Sequence, residues 1–415
     1  MIWLGGLALT IWLALCLTGF WLCLEREERV QIAEPAAWPD VVAVVPARNE
    51  ADVIAMSLGS VVRQDYPGQF RVVLVDDSSE DGTGAIARNI KSPSPSGEGL
   101  RWGLSGSGNR GLDRQAPPPP PPPTTPLKGR GVTVLTGKPL APGWTGKLWA
   151  VSQGIEDAGT PQYIWLTDAD IEHAPDTLRR LVTIASHSGK GGKQRKLVSF
   201  MAQLHCKTWP ERLLVPAFVY YFMMLYPFNW VNRRTPFAAA AGGCVLVERA
   251  ALEAAGGIAA IRTSLIDDCA LGALIKRQGP IWLGLTHRSR SIRPYVRTGE
   301  VGAMIARSAY AQLRYSPLFF VATVIGLVLM FVVPVGLALL GHGTAQAIGA
   351  LAFALMALMY QPILRFYRLS PLWGLAQPLI GSFYTFCVVW SGWQHWRGRG
   401  GMWKGRAQAT AVAAR

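Results

Sequence analysis

Charge is scarce in this chain of 415 residues: only 16% are Asp, Glu, Lys or Arg, while half are hydrophobic. That balance is low for a soluble enzyme. Residues 1–24, MIWLGGLALTIWLALCLTGFWLCL, carry no charge at all. As one helix they predict a length of about 36 Å, against a bilayer core of about 30 Å. A basic start and a small-residue cleavage site are both missing, which argues against a secretory signal and for a retained anchor. Paired cysteines are missing too. Cys16, Cys23, Cys206, Cys244, Cys269 and Cys387 form no CxxC, and three of them lie in apolar segments. That argues against a zinc site and a disulfide framework, and suits a middle region on the reducing cytoplasmic side. The formal charge is +15, but no recognition motif accompanies it, so nucleic acid is not an expected partner.

Three further apolar stretches close the chain, at about 318–340, 345–363 and 376–396. The first is the clearest span. The other two contain Gln, Pro or Ser and read as spans or re-entrant segments. The expected organisation is therefore an anchor at 1–24, a polar domain at 25–315, a membrane region at 316–396 and a basic tail at 397–415. Between His287 and Tyr315 six arginines face a single acid, Glu300. The positive-inside bias explains such a collar, and so does attraction to anionic lipid or to a diphosphate.

Short apolar runs alternate with helical segments through the middle of the chain. VVAVVPARNE (41–50), FRVVLVDDSSEDGT (70–83), GVTVLTG (131–137) and YIWLTDAD (163–170) read as buried strands. Helices are expected at about 51–63, near 85–89 and at 146–158. The pattern predicts a parallel α/β sheet covered on both faces, with ligands beyond the carboxyl ends of the strands. Residues 91–130, rich in Pro, Gly and Ser, interrupt this order. Their composition predicts a disordered insertion with no catalytic role.

Acids gather at the strand ends. Asp168 and Asp170 are two residues apart, so in extended chain they point to one side. Two such carboxylates repel unless a hard cation lies between them, and Mg²⁺ often uses one or two carboxylates with substrate phosphates. Asp76 and Asp77 end the second strand, and Asp267 and Asp268 open a segment of helical spacing. All of these acids also read as helix-capping or first-turn residues. Lys147 stands at a helix start, a natural anion site. A metal on an aspartate pair, a lysine beside a helix start and a separate aspartate as base together point to group transfer from a nucleotide sugar.

VVPARNE, VLVDDSSEDGT, TGKLWA, TDAD and IDDCALG, in this order, resemble an inverting family 2 glycosyltransferase with the GT-A (Rossmann-like, nucleotide-diphospho-sugar transferase) fold. RLLVPAFVYYFMMLYPFNWVN and ARSAYAQLRYSPL sharpen the likeness toward the hopene-associated glycosyltransferases of bacterial hopanoid clusters. It covers nearly the whole chain except 91–130. The resemblance implies that Asp76 and Asp77 serve the nucleoside, and that Pro46, Arg48 and Glu50 line its pocket. It places Lys147 near the nucleotide. Asp170, helped by Asp168, would hold Mn²⁺ or Mg²⁺ with the diphosphate of a nucleotide sugar, a UDP-sugar by preference. Asp268 would be the catalytic base and Asp267 its neighbour. The Q-x-x-R-W motif of such enzymes is altered here to Gln312, Leu313, Arg314, Tyr315, which leaves Arg314 for the diphosphate and Tyr315 for the acceptor. The expected partner is a membrane lipid acceptor, and the expected location is the bacterial inner membrane, with several spans and a cytoplasmic catalytic domain. A ceramide- or polyprenyl-phosphate-directed transferase, or an anchored sugar-nucleotide-binding protein without turnover, are the alternatives. Residues 212–231 are apolar enough to cross once, but a crossing there would part Asp170 from Asp268. They are expected in the interface or inside the domain.

Overall fold

The computed structural model describes residues 1–90, 131–187 and 193–399, with the backbone alone of 402–403 and 406–407. The insertion at 91–130 and most of the basic tail lie outside the described residues. Eight strands build the main sheet: β1 Val41–Ala47, β2 Phe70–Asp76, β3 Val132–Thr136, β4 Tyr163–Leu166, β5 Ile171–His173, β6 Leu197–Gln203, β7 Val245–Glu248 and β8 Ile281–Ser291. Their order is β3-β2-β1-β4-β7-β6-β8-β5. Alternate residues of the Val- and Ile-rich runs point to opposite faces. Val42, Val44, Val73, Val75 and Ile164 enter one core, and Val41, Val45, Val72, Leu74 and Trp165 enter the other. Both faces are buried, which is why these strands read as continuous apolar runs.

β1 to β4 pair in parallel, and helices Ile54–Val62, Thr83–Arg88 and Gly146–Asp157 follow the first three strands. The last of these helices lies directly on β1, where a Cβ at Gly154 would come within 2.4 Å of Val44. Beyond β4 the sheet departs from the expected parallel pattern. β7 runs antiparallel to β4 and β6, and β5 runs antiparallel to β8. The chain reaches β7 after the long excursion through helix Trp209–Leu225, and it turns straight from β4 into β5. The first connection carries helices but returns to the end of the sheet it left, and the second carries none, so neither imposes parallel pairing.

Helix Ile2–Thr18 is shorter than the expected 1–24. Gly19 adopts left-handed backbone (φ 68°) and ends it, as glycine commonly does at a helix C-terminus. Its 17 residues reach about 25 Å. Three C-terminal segments are long and apolar enough to cross a membrane: Pro317–Leu340, Gly343–Phe366 and Pro371–Trp396. Leu318, Phe319, Val321 and Ile325 stand exposed on the first, an apolar surface that marks membrane association. A π-helical turn, Val328–Val332, interrupts this segment, and the Met330 carbonyl accepts a hydrogen bond from Trp12 Nε1 at 2.9 Å. The first helix is thereby keyed into the C-terminal bundle.

Helix Trp209–Leu225 folds into the domain. A capping box of Thr208 and Glu211 starts it, and its Tyr220 and Tyr221 are buried. Tyr221 Oη donates to Gln377 at 3.1 Å, and Tyr384 Oη donates to the Leu214 carbonyl at 2.9 Å. The sheet domain and the apolar helices thus share one core.

Candidate active site

The ends of β1 and β2 are tied together. Asp77 N donates to the Ala47 carbonyl at 2.8 Å, and Glu50 N donates to Thr83 Oγ1 at 2.8 Å. Arg48 lies 3.7 Å from the Asp77 carboxylate and donates to the Asp77 carbonyl. Asp76 accepts from Ser79 N at 3.1 Å. Gly84 leaves room for it, since a Cβ there would lie 2.2 Å from Asp76 Oδ2. Helix Thr83–Arg88 starts after Gly82 with no side-chain cap, and in the turn before it Asp81 accepts from Thr83 N at 3.0 Å.

β4 ends at Leu166, and the turn into β5 carries the aspartate pair. Thr167 Oγ1 fixes that turn, 2.9 Å from the Gly243 carbonyl and 2.8 Å from His173 Nε2. Burial holds the His173 ring neutral, with its pKa pushed down to about 3, so it serves as a fixed polar post. Asp168 pairs with Lys147 at 2.8 Å, and Asp170 pairs with Arg293 Nε at 3.1 Å. Arg293 also reaches Glu50. Lys147, in the first turn of helix Gly146–Asp157, makes a second ion pair with Asp267 at 3.1 Å. Burial works against its ammonium, but Asp168 and Asp267 outweigh burial and raise its pKa.

Asp268 is held differently. Cys269 N donates to its Oδ1 at 2.7 Å, and Gly242 N donates to its Oδ2 at 3.0 Å. Burial, then the charge of Asp267, push its pKa up to about 6, against the pull of Lys147 and the two N–H groups. The helix Asp267–Lys276 is capped at Ile266 with no side-chain bond, so neither acid serves as the cap. Gly272 lets this helix sit on the preceding loop: a Cβ there would lie 2.5 Å from the Ala239 backbone. Pro46, Lys147, Asp168, Gly242, Asp267 and Asp268 line one small cavity.

Among the described residues no group of three or more His, Cys, Asp or Glu is gathered for a metal, so no closed protein cage exists there. Asp168 and Asp170 offer hard oxygen donors two residues apart. Burial, then the Asp168 charge, raise the Asp170 pKa, a repulsion that a divalent cation relieves. The pair fits an open Mg²⁺ or Mn²⁺ site completed by phosphate oxygens and water.

The glycosyl transferase family 21 pattern matches residues 133–407, well over half of the chain. The chain belongs to glycosyl transferase family 21. The family 2 glycosyl transferase pattern matches residues 42–112, so both descriptions give a glycosyltransferase. Among solved structures, the mannosyltransferase PcManGT from Pyrobaculum calidifontis, in complex with GDP-Man and Mn²⁺, matches with a TM-score of 0.52 and 19% identity. That match covers 94% of this chain and 99% of that one, and it places this glycosyltransferase in the GT-A fold. Glucosyl-3-phosphoglycerate synthase of M. tuberculosis (TM-score 0.38, 18% identity, 67% of this chain and 80% of that one) is more distant. So is S. aureus TarS in complex with UDP-GlcNAc (TM-score 0.34, 14% identity, 88% and 95%).

Most of the residues singled out in this glycosyltransferase's sequence thus meet at the carboxyl ends of β1, β2 and β4. Arg314 and Tyr315 lie just after helix Thr298–Gln312. Both have left-handed backbone, at φ 54° and 56°. Arg314 is exposed. The Tyr315 ring stacks on His395, with centroids 4.6 Å apart. Gln312 is nearer the base: its Nε2 donates to Tyr226 Oη at 2.7 Å, and Tyr226 in turn hydrogen-bonds the Cys269 side chain. Sequence reasoning missed Arg293 and the Gly242 N–H. The second left no signal in the sequence, since any non-proline residue offers a backbone N–H and a Cβ at Gly242 would lie at an ordinary 3.5 Å from Asp268.

Proposed function

We propose that this glycosyltransferase moves a sugar from a nucleotide-diphosphate sugar to a lipid acceptor, with inversion, in a step linked to hopanoid synthesis. The observation that carries the chemistry is Asp268. It lines the cavity, half-buried, is held by two backbone N–H groups, and has its pKa raised to about 6. Such a carboxylate takes a proton near neutral pH. Pro46, Arg48, Glu50, Asp76 and Asp77 form the nucleoside end of the cleft. Lys147 and the helix start behind it receive phosphate. Asp168 and Asp170 would hold Mn²⁺ or Mg²⁺, which supplies countercharge for a diphosphate when bound. Asp268 removes the acceptor hydroxyl proton as that oxygen attacks the anomeric carbon from the face opposite the departing diphosphate. Asp267 keeps Lys147 beside it.

A lipid acceptor is supported by the shared core of the sheet domain and the apolar helices. Exposed Trp209 and Val296 stand close in sequence to Glu211 and Arg293. The hopanoid link rests on the sequence resemblance. The arginine collar favours, as a second reading, a phosphate-bearing polyprenyl acceptor. The proposed setting is the inner membrane with the catalytic domain cytoplasmic. Arg397 and Arg399 then favour a cytoplasmic tail, which cysteine labelling from each side tests. The functional test is nucleotide release from UDP-glucose, UDP-GlcNAc and GDP-mannose, with and without hopanoid, ceramide and polyprenyl phosphate. Release stimulated by one lipid supports the reading. Release indifferent to every lipid contradicts the acceptor class.

A further inference from the structure

Arg293 joins two loops that the site needs. Its guanidinium lies against Asp170, after β4, and against Glu50, after β1. Its backbone is anchored on both sides. Ile292 N donates to the Asp170 carbonyl at 3.0 Å, and Tyr295 N donates to Glu211 Oε1 at 2.6 Å. Glu211 is itself fully buried. It also accepts from His205, Lys207 N and Thr208 N, and these donors, Tyr295 N first among them, overcome the effect of burial and hold its pKa down to about 2. The root of Arg293 is therefore rigid, while 27% of its side chain remains exposed to the cleft. A fixed root with a long, partly exposed cationic side chain is built to change partners.

Asp170 Oδ2 is the oxygen that Arg293 holds, and it belongs to the pair that suits a divalent cation. A guanidinium and a divalent ion on one carboxylate repel strongly at this range. An arriving cation must push Arg293 aside, and the diphosphate of the donor brings new negative charge to the same place. We propose that Arg293 is an exchangeable cation: it neutralises Asp170 and Glu50 until a divalent ion takes Asp170, and then transfers to the donor's diphosphate. This inference rests on the assignment of Asp168 and Asp170 to the cation. It gives Arg293 two opposite effects, one on each ligand.

The test measures Mn²⁺ binding alone by paramagnetic resonance, and UDP and GDP binding at saturating Mn²⁺ by calorimetry, on the full-length protein in detergent. Arg293→Gln should tighten Mn²⁺ alone by about two- to fivefold, the scale of one partly exposed ion pair. It should weaken the nucleotide that binds by about tenfold, the scale of one charge-assisted hydrogen bond. A purely structural role would weaken both. Weakening of both, or change in neither, overturns the proposal. If Arg293→Gln does not fold, Arg293→Lys replaces it, because a lysine cannot span Glu50 and Asp170 together. Mn²⁺ binding tighter than wild type then supports the proposal, and equal or weaker binding overturns it. Asp170→Asn is the control. If it leaves Mn²⁺ affinity unchanged, the cation assignment itself fails, and the proposal with it. If it loses Mn²⁺ while Arg293→Gln gains none, the proposal alone fails.

Discussion

Two pairs of aspartates face one cleft, and their surroundings prepare them for opposite tasks. Asp168 and Asp170 each meet a side-chain cation, Lys147 and Arg293. Both can exchange those partners for another positive charge. Asp267 also meets Lys147, but Asp268 meets backbone N–H groups in a half-buried setting and has its pKa raised to about 6. Under the proposed function, identical side chains serve as a cation-binding pair at one end of β4 and as a proton acceptor at the start of a helix. Burial and a neighbouring carboxylate raise the pKa of Asp170 and Asp268 alike, and the partner is what differs: a guanidinium for Asp170, two backbone N–H groups for Asp268.

The largest effect that would break this contrast is at the first pair. Chelation, or Asp170→Asn, should remove transfer by at least about 10²-fold, because countercharge on a diphosphate is worth several kcal/mol. Added Mn²⁺ or Mg²⁺ should restore the chelated wild type but not the variant. Melting temperature should barely move, since Asp170 lies at a strand end outside the core. Full turnover in excess chelator would erase the distinction between the pairs.

A smaller effect sharpens the second pair. Asp268 works as a base only when ionised, so turnover should be retained above about pH 6 and fall as pH drops through that value. Lys147 favours the ionised form. Lys147→Met should therefore move the acid limb to higher pH, by about one unit, equivalent to about 1.4 kcal/mol. A limb that stays in place would show that Lys147 does not tune the base.

The smallest effect belongs to the insertion. Replacing 91–130 with a short Gly/Ser linker should leave turnover within about twofold, because loop closure depends only weakly on length. Loss of folding would show that the composition was misread.

The parallel half of the sheet was readable because β1 and β2 are unbroken Val-rich runs leading into Asn-Glu and Asp, and helix-forming residues follow β1, β2 and β3. The antiparallel half was not. β7 and β5 are four and three residues long, too short for a period to appear. The first helix was overestimated because apolarity continues past Gly19, and hydropathy does not register a left-handed cap. At the site, the acids and Lys147 could be found from their places at strand and helix ends. Arg293 could not, because it is one of six arginines between His287 and Tyr315 that the membrane bias already explains. Gln312 was set aside because its motif is altered, yet it bonds Tyr226 beside Cys269. A contact made through a tertiary neighbour leaves no mark in spacing.

The most direct test of the account compares Asp268→Asn with Asp267→Asn, measuring turnover, nucleotide affinity and melting temperature on both. Asn keeps the size of Asp and removes its basicity. Asp268→Asn should bind nucleotide sugar nearly as wild type and turn over about 10²–10⁴-fold more slowly, the usual cost of a lost general base. Asp267→Asn should lose less, since its part is to hold Lys147. Near-wild-type turnover in Asp268→Asn, or equal small losses of stability in both with turnover intact, would contradict the assignment of Asp268 as the base.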